Sequence, residues 1–266
     1  MPRFAIIGGT GVYDPQLLDD TRLEKIVTPY GEVAVQVGVY RGMEIAFIPR
    51  HGGDHSVPPH LINYRANLKA LQQVGVENII ATAAVGSLNI DMQPGHFVLC
   101  DQFLDFTKGR ITSYFNGGED GVKHCDMTQP YCPALREAIV RSGEEKGQTV
   151  HRDGCYVCSE GPRFETAAEV RMFRMLGGDV AGMTGVPEVC MARELGICYA
   201  NVSIVTNMAA GIGTRQLTHA EVLQSMSRSI GQVRSLVMDS FTYVDAIAPC
   251  TCALWMAAKE ETDGAQ

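Results

Sequence analysis

The sequence predicts an α/β fold: a single domain built on a mixed, largely parallel central sheet flanked by helices. Three observations carry this expectation. Short runs of small and β-branched residues alternate with segments whose apolar residues recur every three or four positions. No stretch reads as a linker, although 266 residues leave room for two domains. The Gly-rich and polar clusters fall at the ends of the predicted strands, where ligands bind in open α/β sheets.

The elements follow in chain order. Residues 4–7 (FAII) read as a short buried strand ending in GGTG. Residues 33–40 and 44–48 read as two strands around a hairpin turn at Arg41-Gly42. After the loop RHGGDHSVPPH, the spacing of Leu61, Tyr64, Leu68 and Leu71 predicts a helix from His60 to Val74. Residues 77–84 form a buried strand before Gly86, and residues 95–104 hold another strand pattern. The polar stretch 107–130 reads as a long loop. Pro133 opens a helix to about Lys146. CYVCSE is a strand, Thr166 to Leu176 a helix, and 187–195 a helix with Pro187 in its first turn. Residues 197–206 form a further buried strand. Thr218 to Asp245 reads as one long helix, and Cys252–Lys259 as a possible short one.

The chain is 45% hydrophobic and 20% charged, which suits a globular protein with a large core. There is no basic, apolar leader pattern and no apolar run long enough to span a bilayer. The expected location is cytoplasmic, with no membrane partner. A net charge of -8 and a pI near 5.4 argue against sequence-independent binding to nucleic acid. A small anion held by local dipoles and one or two arginines remains compatible with that charge.

Nine cysteines favour reduced thiols used as small hydrophobes. Cys155 and Cys158 form a CxxC, but on a strand positions i and i+3 face opposite sides, against a redox or zinc pair. Cys250 and Cys252 form a CxC, which without a second ligand pair is a weak metal signal. No metal ligand is assigned.

Five clusters invite a functional reading, each beside a structural one. GGTG (Gly8–Gly11) offers backbone N–H groups and the Thr10 hydroxyl to an anion, or makes a tight turn. A G-x-G-x-x-G register begun at Gly9 meets Asp14 at its third glycine, which disfavours nicotinamide cofactors. RHGGDH places Arg50 and His51 at a strand end, suited to an oxyanion or simply to the surface. In SEGPRFET, Glu165 stands at a helix start, where it serves the dipole or a ligand, and Phe164 stacks or fills the core. In GMTGVPEV, Thr184 is an N-cap or a phosphate ligand. VTNMAAGI ends a buried strand on Asn207, and a buried amide demands partners.

The ordered set GGTG, RHG, GSL, EGPRFET, MTGVPEV and VTN resembles the trimeric purine nucleoside phosphorylase and methylthioadenosine phosphorylase family, over about residues 4 to 245. The resemblance implies a nucleoside phosphorylase domain at 1–246 with a C-terminal tail at 247–266. It implies a homotrimer, with a hexamer as the alternative. The reaction it implies is reversible phosphorolysis, with inorganic phosphate as co-substrate and no metal or organic cofactor.

Carried over residue by residue, it implies that Thr10, Arg50, His51 and Thr184 bind phosphate. Ala83 stands where methylthioadenosine phosphorylases usually carry a threonine, so the backbone at Ala83 and Ala84 is the expected ligand there. Phe164 packs on the base and Met183 on the ribose. His219 matches a histidine at the 5′-hydroxyl, and His124 one donated across the trimer interface. Asn207 reads N7 and O6, and Glu165 reads N1–H, together selecting 6-oxopurines such as inosine and guanosine. The family's adenine-cleaving branch carries aspartate and serine at these points. S-methyl-5′-thioinosine is the alternative substrate, methylthioadenosine a weaker one, and a non-catalytic purine sensor a rival of another class.

Overall fold

The structure is a computed structural model, which describes residues 1–9, 12, 18–54, 56–118, 121–213 and 218–254, and no side chain at 219 or 221. Among them, eleven strands form one mixed sheet. The first is β1 (Phe4–Gly8), buried along its whole length. Then come β2 (Asp19–Thr28), β3 (Gly31–Tyr40) and β4 (Met43–Pro49), joined as antiparallel neighbours. Arg41 and Gly42 both take positive φ at the β3–β4 turn, the geometry that a tight hairpin requires. β4 then runs parallel to β1.

The helix expected from His60 begins instead at Tyr64. A 3₁₀ turn over Pro59–Leu61 precedes it, and the Asn63 side chain accepts from Ala66 N–H as its N-cap. α1 (Tyr64–Gln73) leads to β5 (Asn78–Ser87), the centre of the sheet. β6 (Phe97–Leu99) and β7 (Gln102–Phe106) divide the predicted 95–104 strand. After the long loop come α2 (Pro133–Glu145), β8 (Val150–His151), β9 (Cys155–Ser159), α3 (Ala167–Met175) and β10 (Val180–Gly182). α4 (Gly185–Glu194) carries non-helical Val186 in its first turn, because the residue before a proline is driven out of the helical region. β11 (Cys198–Met208) and α5 (His219–Ser240) complete the body. The predicted single helix to Asp245 ends at Ser240 and continues as a 3₁₀ helix, Phe241–Ala246.

Side chains alternate across the sheet and feed two large cores, beside a smaller cluster around Val157 and Phe173. Ala5 and Ile7 of β1, Ile79 and Ala81 of β5, and Tyr199 of β11 pack with α1 and α4 on one face. Phe4, Ile6, Ile80, Ala200 and Val202 pack with α2 and α5 on the other. Central strands buried on both faces explain the continuous apolar runs in the sequence. β2 was invisible to that pattern. It is a mostly exposed edge strand, DDTRLEKIVT, whose charges blunt the edge. No described helix is long and apolar enough to cross a membrane.

One irregularity positions the site. β1 pairs with β5 only as far as Ile7 opposite Ala81. On the same edge, antiparallel β10 takes over at Gly86 and Ser87. Between them, residues 82–85 have no sheet partner on that edge among the described residues. β11 stays parallel to β5 on the other side but gains one residue between Val205 and Asn207. Such a bulge re-aims a side chain.

Candidate active site

The gap in the sheet opens into a cavity. Thr82, Ala83, Ala84 and Val85 from β5 form its floor, with Arg50 and His51 from the end of β4. Phe164 and Glu165, Met183 and Thr184, and Asn207 close its sides. Nine of the residues expected from the sequence therefore meet in one place, from five separate segments. Val222, Leu223 and Met226 of α5 add an apolar wall that the sequence reading did not include.

Arg50 is not the surface arginine that its composition alone would allow. It is 3% exposed. Its Nε and Nη2 donate to the two oxygens of Glu188, both at 2.7 Å. Nη1 donates to Thr82 O at 2.8 Å, and Nη2 also reaches Ile7 O at 3.4 Å. Burial disfavours the charge, but Glu188 outweighs it and holds the guanidinium above its ordinary pKa. Tyr199 donates to Glu188 Oε1 at 2.7 Å and fixes the carboxylate. Four of the five guanidinium N–H groups are thereby directed at protein oxygens, leaving one on Nη1 for a ligand. Glu188 and Tyr199 escaped the sequence reading. The first lies in the motif VPEV and reads there as a helix-start acid.

His51 Nδ1 donates to Val57 O at 2.9 Å, since a carbonyl can only accept. Thr184 is the N-cap residue of α4 and is buried, yet its side chain makes no capping bond. The capping alternative for this hydroxyl is not used. Ala83 and Ala84 line the cavity and carry no hydroxyl.

The same question is settled for Glu165. Helix α3 is capped by a reciprocal box between Thr166 and Glu169. Glu165 stands just before that box, half-buried, and accepts a short hydrogen bond from the Ser159 hydroxyl. It therefore lines the cavity and takes no part in the cap. Met183 is set by Gly161, which has positive φ; a Cβ there would stand 2.7 Å from Met183 Sδ.

Asn207 is half-buried at the bulge. The Thr206 hydroxyl faces its Oδ1 at 2.8 Å and Val85 O at 3.2 Å. Its Nδ2 donates to Met208 O at 3.0 Å. The backbone carbonyl can only accept, so the amide has one orientation. One N–H and one carbonyl lone pair are left for a ligand.

Of the three other expected residues, two are not described. Thr10 and the side chain of His219 lie outside the described residues. His124 is exposed on the long loop and does not line its own chain's cavity.

The cleft lies where the pairing of the central strand is interrupted, a place where ligands bind in open α/β sheets. The phosphorylase superfamily model matches residues 3–241, and the chain belongs to that superfamily. It is 53% identical to a probable 6-oxopurine nucleoside phosphorylase of Thermococcus kodakarensis, over 95% of this chain and 96% of the relative. It is 50% identical to the 6-oxopurine nucleoside phosphorylase of Pyrococcus furiosus, over 95% and 97%. Among solved structures, it superposes on methylthioadenosine phosphorylase from Schistosoma mansoni in complex with adenine. There the TM-score is 0.89 at 31% identity, covering 98% of this chain and 97% of that one.

Proposed function

We propose that this chain cleaves 6-oxopurine nucleosides, inosine and guanosine, by phosphorolysis to the free base and ribose 1-phosphate. The observation that carries the reading is the presence of Asn207 and Glu165 in one cavity, the amide oriented by Met208 O and the carboxylate held by the Ser159 hydroxyl. The amide offers both a donor and an acceptor, matching O6 and N7–H. The carboxylate only accepts, matching N1–H. Adenine has no O6 and no N1–H, so both contacts fail for it. A site built to hydrogen-bond a group rejects an analogue lacking it. The names of the T. kodakarensis and P. furiosus relatives support the same choice.

Phosphate is assigned to the floor. The remaining Nη1 hydrogen of Arg50, the Thr184 hydroxyl and the β5 backbone that faces the gap in the sheet at Ala83–Ala84 are assigned to it, with His51 beside them; Thr10, assigned from the resemblance, lies outside the described residues. His51 keeps Nδ1 on Val57 O, which fixes the plane of its ring at the edge of the cavity. As the glycosidic bond lengthens, positive charge grows on the sugar and negative charge on the purine. Phosphate beneath the sugar meets the first; Asn207 stabilises the second, because its bonds strengthen as N7 gains its proton. No metal or organic cofactor enters this chemistry. Met183 faces the ribose and Phe164 the base.

The assembly we assign is a homotrimer. Exposed His124, unused in its own cavity, is then supplied to a neighbour's 5′ end. Nine unpaired cysteines suit a cytoplasmic setting in purine salvage. The apolar wall of Val222, Leu223 and Met226 favours a second reading, a 5′-methylthio substrate. Rates on inosine, guanosine, methylthioinosine and methylthioadenosine, measured side by side with and without phosphate, test both. Preference for methylthioadenosine would overturn the base assignment, and phosphate-independent binding without turnover would favour a sensor.

A further inference from the structure

The CxC motif in the tail acquires two partners in three dimensions. Cys132 precedes α2, Cys198 opens β11, and Cys250 and Cys252 lie beyond the last 3₁₀ helix. Their four sulfur atoms all lie within 4.8 Å of one another. Cys198 Sγ and Cys250 Sγ are 3.1 Å apart. Cys132 and Cys252 are buried, the other two half-buried. From the geometry we infer that these four thiols form a structural tetrathiolate site for one zinc ion, remote from the cavity.

Four sulfurs within 4.8 Å of one another lie close enough to serve as the corners of one tetrahedron. With Zn–S bonds near 2.3 Å, such corners stand about 3.8 Å apart, so small shifts bring all four to one centre. The ligand set is the closed, all-thiolate kind of structural zinc rather than an open catalytic one. Two of its ligands sit on rigid elements. Cys132 N–H donates to Tyr199 O at 2.8 Å and Cys198 N–H to Glu77 O at 2.9 Å, which locks the head of α2 to the start of β11. The other two form a hook closed by Leu254 N–H to Thr251 O at 3.0 Å. Cys132 is also the N-cap of a 13-residue helix and makes no capping bond with its side chain. A thiolate there is favoured by the helix dipole. Binding converts four thiols and one Zn²⁺ into a dianionic complex and releases four protons to solvent.

The sequence reading assigned no metal because Cys250 and Cys252 lacked a second pair. Cys132 and Cys198 supply it across separations that no motif search covers. The consequence is a staple holding the tail to the face of the sheet that α2 and α5 cover.

The test uses the full-length protein purified under reducing conditions. Expected is one zinc per chain by elemental analysis, lost in the Cys250→Ser, Cys252→Ser double variant. Cobalt added to metal-stripped protein should give the visible absorption of a tetrahedral tetrathiolate, absent in the variant. A chelator should lower the Tm of the wild type and leave the variant unmoved, with phosphorolysis at room temperature unchanged in both. Failure of reduced wild-type protein to bind zinc or cobalt overturns the site. So does an intact mass lower by four hydrogens, the mark of two disulfides. Since neither metal content nor the cobalt spectrum depends on substrate, this test and that of the proposed activity fail independently.

Discussion

Glu188 and Arg50 form a two-pronged ion pair beneath the cavity floor, with both bonds at 2.7 Å and neither side chain more than 1% exposed. The pair is not a stability device in itself, because desolvating both charges offsets most of their attraction. Its effect is to hold one guanidinium in one orientation against Thr82 O. Breaking it strands a charge.

Either Arg50→Met or Glu188→Leu should therefore cost about 3–5 kcal/mol of unfolding free energy. The double variant should cost much less than the sum, since both charges leave together. Urea denaturation of the three variants gives the answer, and simple additivity would mean that the pair is uncoupled. Arg50→Lys keeps the charge but not the fork. It should raise the KM for phosphate about 10- to 100-fold, the worth of one charge-assisted bond, with a much smaller change for inosine.

Asn207→Asp should lower kcat/KM for inosine and raise relative activity on 6-aminopurine nucleosides. The carboxylate has no donor for O6 but accepts from a 6-amino group. The swing should be incomplete, because Glu165 still faces an N1 that carries no proton in adenine. Adding Glu165→Ser should carry it further, and non-additively, since both residues touch one base. An unchanged inosine-to-adenosine ratio would leave Asn207 as a structural amide satisfied by Met208 O.

Thr166→Ala removes one half of the box that starts α3 and should cost about 1 kcal/mol. The other half titrates. Arg163 and the Thr166 backbone hold the Glu169 carboxyl down to about 2. A depressed folded pKa stabilises above the ordinary carboxylate value and loses that stabilisation as pH falls toward 2. Unfolding measured from pH 5 to pH 2 should thus fall less steeply in Glu169→Gln than in the wild type. Equal slopes would remove Glu169 from the cap.

Cys155 and Cys158 should react separately and slowly with alkylating agents. Burial pushes the Cys158 thiol up to about 12 and the Cys155 thiol to about 11. Raised thiol values mean that the folded state keeps its protons longer. Their contribution to stability is then full below pH 9 and fades as pH rises toward 11 and 12. Native labelling followed by peptide mapping should find Cys155 modified first as pH rises. A disulfide between the two would contradict their placement on opposite sides of β9.

Much of this was legible because burial writes itself into sequence. β1, β5 and β11 are apolar runs, and a polar residue at the end of such a run, Asn207, attracts notice at once. β2 was illegible for the same reason in reverse: an edge strand needs no apolar run. Glu188 was hidden because a glutamate in the first turn of a helix already has an ordinary explanation. Its partner is 138 residues away. The four-thiol cluster was hidden by separation alone, since each cysteine reads as a small hydrophobe until the fold gathers them.

The unpaired edge of β5 bears on how such a protein changes over generations. Main-chain N–H groups are not encoded by any one codon, so an anion cradle made of them survives drift at Ala83 and Ala84. On the proposed assignment the base is met by two side chains, each open to exchange by substitution. On that assignment, a lineage carrying this gap in its sheet can retune which purine it accepts while inheriting the backbone cradle proposed for phosphate. Residues 82–85 should then tolerate small side chains freely but resist proline, which alone deletes a backbone donor.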